Sequence, residues 1–294
     1  MKKSFKKTQG GAILLDGICV ANKIQNKISQ TLANNPNAKV TLATVLIGND
    51  PASELYVGMK HRRATAAGIQ SKHVQLDQNI SMQAASEEIL KLAEDATING
   101  ILIQLPLPEQ LDPYAVIDLL PSNKDVDGLT ESNLGKLIRN EPGLVPCTPL
   151  GVMRLLEHYN IPVSGKRVIV IGRSTLVGLP QVLLLSRKGV DATVTLAHSR
   201  SGELIDLTQC ADIVIAAAGI SHLIKKSHIK TGATVIDVGV SRTDQGIQGD
   251  VDFDAVQDIA GAITPMPGGT GPMTVACLLE NTLQAARMQN ITLE

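Results

Sequence analysis

Aromatic side chains are nearly missing from this 294-residue chain, which has three Tyr, two Phe and no Trp. Its core must therefore be aliphatic, and each tyrosine merits individual inspection. An excess of one charge is missing too: the net charge of −1 lacks the basic surplus of a nucleic-acid binder. No apolar run is long enough to span a membrane. After the N-terminal MKKSFKKTQGG, the apolar stretch Ala12–Leu15 stops at Asp16, too short for a signal sequence. The lysine-rich start reads as a disordered leader. The four cysteines, Cys19, Cys147, Cys210 and Cys277, show no metal-ligand spacing and no CxxC pair, which fits free thiols in a reducing, cytoplasmic setting. The six histidines are equally dispersed, so no metal site is expected.

What is present is ample material for a core. Hydrophobic residues make up 44% and charged residues 19%, enough for two ordinary domains. Apolar spacing predicts a helix over 18–32, a strand over 40–47, a helix from an N-cap at Ser53 to about Ala67, and a short strand over 73–76. A helix from Ser81 to about Glu94 and a strand over 100–105 follow, giving βαβαβ. Pro113–Leu120 reads as a short helix and Ser122–Leu129 as a loop. The proline-rich stretch Glu141–Pro149 is the best candidate boundary. The domains are therefore read as 1–149 with 275–294, and 150–274.

The second domain is organised around Val168–Pro180, VIVIGRSTLVGLP. Four β-forming residues run into a glycine, a polar pair, then a second glycine and a proline. That is a buried parallel strand, a tight turn and a helix start, a natural anion site in an α/β sheet. Gly172 and Gly178 depart from the GxGxxG spacing, so an ordinary strand–turn–helix stays open. The next strand, 192–196, leads to His198-Ser199-Arg200. An acidic residue there would suit the ribose hydroxyl of NAD; a hydroxyl and an arginine, with Arg173 in the turn, suit the 2′-phosphate of NADP. Strands over 213–218 and 234–238 also end in glycine. The loop 263–274 is rich in Gly and Pro, and 275–288 is a closing helix.

Tyr56 and Lys60 lie one turn apart on a predicted helix, so they share a face. A desolvated lysine can do acid–base work, and a neighbouring ring can stack on a flat substrate. A snorkelling lysine on an ordinary amphipathic helix is the plainer alternative. Gln104 stands at a strand end, where its amide can bond a heterocycle or an amine. Asp125 and Asp127, in KDVDG, could bind a polar ring or simply form a surface turn.

Taken together, GNDPAS with YVGMK (48–60), GILIQLPLP (100–108), KDVDG (124–128), PCTP (146–149), GRS with VGLP (172–180) and PGGTGPMT (267–274) resemble the bifunctional methylenetetrahydrofolate dehydrogenase/methenyltetrahydrofolate cyclohydrolase family. The resemblance runs from about Leu14 to Met288. It implies an N-terminal α/β domain that holds folate, a Rossmann-type NADP domain, a C-terminal helix returning to the N-terminal domain, and an active site between the two. By the same resemblance Lys60 is the catalytic lysine, tuned by Gln104; Tyr56 stacks on the aminobenzoyl ring; and Asp127 holds the pterin. Pro267, Gly268, Gly269, Thr270 and Gly271 would line the folate site. Gly172, Arg173 and Ser174 would receive the cofactor phosphates, with Ser199 near the 2′-phosphate and Val240 near the nicotinamide. A homodimer through the Rossmann domain is implied as well. Two positions depart from the family pattern: Gly239-Val240-Ser241 replaces GIN, and Thr270 replaces a valine. Short-chain dehydrogenases also use Tyr-x-x-x-Lys, but with the glycine turn first; here Tyr56 precedes Gly172. A monofunctional relative or a non-catalytic NADP sensor would share the fold.

Overall fold

The computed structural model describes residues 5–244 and 246–293. The chain forms two compact units: one holds the residues up to Ala21 with Thr148–Thr274, the other Asn22–Cys147 with the residues from Val275 on.

The chain opens with β1 (Ile13–Leu14) and α1 (Gly17–Asn34). The unit beginning at Asn22 then runs through β2 (Thr41–Ile47), α2 (Pro51–Ala66), β3 (Gln70–Leu76), α3 (Met82–Glu94), β4 (Gly100–Ile103), α4 (Pro113–Ile117) and α5 (Glu131–Ile138). Its parallel sheet has the order β3-β2-β4. β2 is buried along its whole length, as the run TLATVLI requires of a central strand. β3, QSKHVQL, has only exposed and half-buried positions, which suits an edge and explains why only its apolar end is legible as a strand. On α3, Ala85, Ile89, Leu92 and Ala93 form the buried stripe that closes the core against β2 and β4. Ser81 caps α3 as expected. The cap of α2 is Asp50, not Ser53: its carboxylate accepts from Ser53 N (2.8 Å) and Ser53 Oγ (2.7 Å), with Pro51 in the first turn.

The other unit continues with α6 (Cys147–His158), β5 (Arg167–Ile171), α7 (Gly178–Ser186), β6 (Thr193–Ala197), α8 (Leu204–Gln209), β7 (Ile213–Ala216) and β8 (Thr234–Asp237). A hairpin, β9 (Ser241–Thr243) and β10 (Gly246–Gln248), precedes α9 (Phe253–Val256), β11 (Ala262–Ile263) and α10 (Thr270–Met288), which carries on past Thr274. The six-stranded sheet has the order β1-β11-β8-β7-β5-β6 with every pairing parallel. Ile169, Ile171, Val214, Val235 and Ile263 form its aliphatic centre.

Two expectations are corrected here. Residues up to Ala21 belong to the unit with the six-stranded sheet, because β1 pairs with β11 as its edge strand. Of the lysine-rich start, residues 1–4 lie outside the described residues; from Phe5 on it is ordered. Lys7 bridges to Ile13, Leu14 N donates to Lys6 O (2.9 Å), and the Phe5 ring lies 4.8 Å from that of Tyr159. Tyr159 is buried, and its hydroxyl accepts from Asp16 N at 2.9 Å. Two of the scarce rings thus hold this segment down.

Candidate active site

The helix α2 places Tyr56 and Lys60 on one face, Tyr56 40% exposed and Lys60 half-buried. At the end of β4, Gln104 N is fixed by Val45 O. Its side-chain Nε2 donates to Leu105 O (2.7 Å), so Oε1 faces the other way and accepts from Lys60 Nζ at 2.9 Å. Burial lowers the Lys60 pKa against the opposing pull of Asp127 and Cys147.

Asp127 reaches this site through a chain of side-chain anchors. Lys124, Asp125 and Val126 run beside β4: Ile101 N donates to Lys124 O, and Ile101 bridges Asp125 in parallel register. Continuing that register sets Asp127 beside Ile103, next to Gln104. Lys124 is buried and donates to Ala93 O and Asp95 O, both at 2.8 Å, satisfying carbonyls at the end of α3. Asp125 is 1% exposed and accepts from Gly128 N (3.0 Å), Thr130 N (2.8 Å) and Asn133 Nδ2 (2.9 Å). It is therefore a structural anchor, not a second ligand for a polar ring. Asn281 of α10 donates to Val126 O (2.9 Å) and Val145 O (2.8 Å). Burial raises the Asp127 pKa; Lys60 opposes the shift and Asp125 adds to it. Cys147, unremarkable in the sequence, lies against this group. Burial and the Asp127 carboxylate push its thiol well above its ordinary range. The shifts of this lysine and this acid run toward each other, which marks the pair as a functional-site candidate.

The other unit brings together the nucleotide candidates. Gly172 has φ +118°, and a Cβ there would run into Ala217 O of the β7 end; a Cβ on Gly178 would strike Gly172 O. The turn is closed on itself and laid against the neighbouring strand, so only glycine fits at either place. Ser174 closes the turn from both ends of the residue: its Oγ accepts from Val177 N (3.2 Å) and its carbonyl from Leu179 N (3.1 Å), ahead of Pro180, which has no N–H. Ile171 pairs with Ala197, so Arg173 and Ser199, with Arg200, are exposed at adjoining strand ends. Val240, 46% exposed, follows β8. These residues fit a dinucleotide with a charged ribose. Pro267, Gly268 and Gly269 lie in this same unit between β11 and α10, and Thr270 and Gly271 open α10. Gly268 O accepts from Gly17 N (2.9 Å), and the buried Thr270 Oγ1 donates to Asp237 O (2.9 Å), a bond no valine could make. Among the described residues no three His, Cys, Asp or Glu converge as metal ligands, and no helix is long and apolar enough to cross a membrane.

Comparison with known proteins identifies the family. Residues 15–127 match the catalytic-domain model of tetrahydrofolate dehydrogenase/cyclohydrolase, and residues 146–290 match its NAD(P)-binding-domain model. The bifunctional protein FolD 2 of Frankia casuarinae is 46% identical over 279 residues, covering 94% of this chain and 96% of that one. The crystal structure of the bifunctional FolD of Campylobacter jejuni superposes with a TM-score of 0.92 at 39% identity, over 95% of this chain and 99% of that one. The Trypanosoma brucei enzyme, solved with NADP and an inhibitor, has a TM-score of 0.90 at 36% identity, covering 96% and 99%. The chain therefore belongs to the tetrahydrofolate dehydrogenase/cyclohydrolase family, the bifunctional enzymes of one-carbon folate metabolism.

Proposed function

We infer that this chain oxidises 5,10-methylenetetrahydrofolate with NADP and hydrolyses the resulting 5,10-methenyl cation to 10-formyltetrahydrofolate, with Lys60 as the acid–base group of the second step. The observation that carries this reading is the 2.9 Å bond from Lys60 Nζ to Gln104 Oε1, on a lysine whose pKa burial lowers. In the hydrolysis, water adds to the cationic methenyl carbon and the bond from that carbon to N5 breaks. Neutral Lys60 takes a proton from the attacking water and returns it to the departing N5, while the remaining hydroxyl proton leaves to solvent as the formyl C=O forms, so the net reaction releases one proton. Gln104 holds the amine in place. Asp127 offers a carboxylate to the pterin edge, and Tyr56 supplies a ring face to the aminobenzoyl group.

NADP, when bound, supplies the hydride acceptor for the oxidation. Gly172, Arg173 and Ser174 would hold its phosphates, Ser199 and Arg200 its 2′-phosphate, and Val240 would flank the nicotinamide. The protein's task in that step is alignment, since the product cation is stabilised by its own two nitrogens. The finer assignments are a cytoplasmic homodimer, the commonest symmetric assembly of soluble enzymes, acting on a small-molecule folate without nucleic acid or membrane. Lys60→Met should slow consumption of methenyltetrahydrofolate, followed by absorbance, about 10²–10⁴-fold. Hydrolysis at the wild-type rate in a folded Lys60→Met protein would remove Lys60 from the mechanism.

A further inference from the structure

Two buried carboxylates in the six-stranded unit take no part in the chemistry above. Asp237 ends β8 and is 2% exposed; Asp250 precedes α9 and is fully buried. Each lies over a glycine of the other's segment: a Cβ on Gly249 would collide with the Asp237 carboxylate, and one on Gly239 with that of Asp250. Asp237 accepts from Asp250 N (2.9 Å) and Val251 N (3.0 Å). Asp250 in turn accepts from three successive amides, Ala218 N (2.6 Å), Gly219 N (3.1 Å) and Ile220 N (2.8 Å). Ser241 Oγ adds a bond to Gly219 O at 3.1 Å. The 217–220 segment so gripped is the one whose Ala217 carbonyl lies against Gly172. The two side chains that emerge at these strand ends, Ile220 and Val240, are 52% and 46% exposed.

We propose that Asp250, set by Asp237, is a positioning residue for the dinucleotide site: it fixes the 218–220 loop against the Gly172 turn and presents Ile220 and Val240 as an apolar wall for a flat ring. The physical basis is the cost of misplacing buried charge-assisted bonds. An ionised carboxylate only accepts, so three converging N–H groups have one stable arrangement around it. Strand ends of a parallel sheet are otherwise free to splay, and apolar side chains left exposed there would gain by collapsing onto one another. The inference rests on the reading that the β5–α7 turn holds NADP.

Asp250→Asn keeps the shape but turns one acceptor into an N–H donor aimed at backbone N–H groups. The chain has no Trp, so NADPH fluorescence on titration reports binding directly. The dissociation constant for NADPH should rise about 10- to 100-fold, with the KM for NADP rising in step. Hydrolysis of methenyltetrahydrofolate without cofactor should stay within about twofold, showing an intact fold. Unchanged NADPH affinity in such a folded variant overturns the proposal. Should Asp250→Asn lose hydrolysis and its melting transition together, Asp237→Asn decides. It retains one carboxamide oxygen for the amides of residues 250 and 251, and should weaken NADPH about 3- to 10-fold with hydrolysis preserved; unchanged affinity again overturns the proposal. Failure of the wild-type protein to bind NADPH at all would instead remove the dinucleotide reading.

Discussion

The two units build their sites from different materials. Around Lys60 the candidate groups are side chains, set by further side-chain bonds: Gln104 through its own amide to Leu105 O, and the Asp127 segment by Lys124, Asp125 and Asn281. Around Gly172 the candidate turn is shaped by backbone packed on backbone, which requires the absence of side chains at Gly172 and Gly178, and at Gly239 where the Asp250 carboxylate closes in. A site made of side chains can lose one group and keep its shape. A site made of backbone loses its shape when one Cβ is added.

Gly172→Ala tests the backbone half and should give the largest effect of the contrast. A methyl group at φ +118° against Ala217 O has nowhere to go but into the strand, so NADPH affinity should fall by more than about 100-fold and stability by about 1–3 kcal/mol. Fluorescence titration and urea melts read the two separately. A Gly172→Ala protein that binds NADPH normally would mean the turn has slack, and the contrast would fail.

Gln104→Glu tests the side-chain half. It puts a carboxylate where a neutral oxygen meets Lys60 at 2.9 Å, which favours the ammonium and raises the lysine pKa. The pH profile of methenyl hydrolysis should move its rising limb to higher pH, and the rate at neutral pH should drop about 10-fold. An unmoved limb would mean that the profile does not report Lys60.

The smallest effect sharpens the comparison through stability. Burial raises the Asp237 pKa from 3.8 to about 7, with Asp250 adding to it and the backbone N–H donors opposing. Here the folded chain keeps a proton that the unfolded chain releases. The contribution of this group is therefore most favourable below about pH 4 and declines as pH rises to about 7. Unfolding free energies measured at pH 5 and pH 8 should differ more in the wild type than in Asp237→Asn, which cannot titrate.

The contrast also explains what could be read in advance. The parallel strands, the glycine turn after β5 and the pairing of Tyr56 with Lys60 on one helix all follow from local pattern. Asp125 and Asp127 cannot be told apart locally: their difference comes from Thr130 and Asn133, donors that exist only once α5 forms. That helix is only eight residues long and has Gly135 in its body, which hides it in the sequence. β1 and β11 are two residues each and exist only because the sheet offers them an edge. Asp237 and Asp250 are 13 positions apart. The mirrored DVG and GDV triplets around them were a signal, but only the folded chain shows that each aspartate lies over the other's glycine. Cys147 gave no signal at all, because its significance is the neighbour it acquires.

The fixed direction of the Gln104 amide bears on the acid–base role proposed for Lys60. Ammonium and amine both carry N–H, so Lys60 can keep donating to Oε1 in either protonation state. The lone pair that appears on deprotonation cannot point at Gln104, which holds an N–H; it must face elsewhere, toward whatever occupies the site. In the acid–base role proposed for it, the lysine would therefore return to the same orientation after each proton it gives or takes.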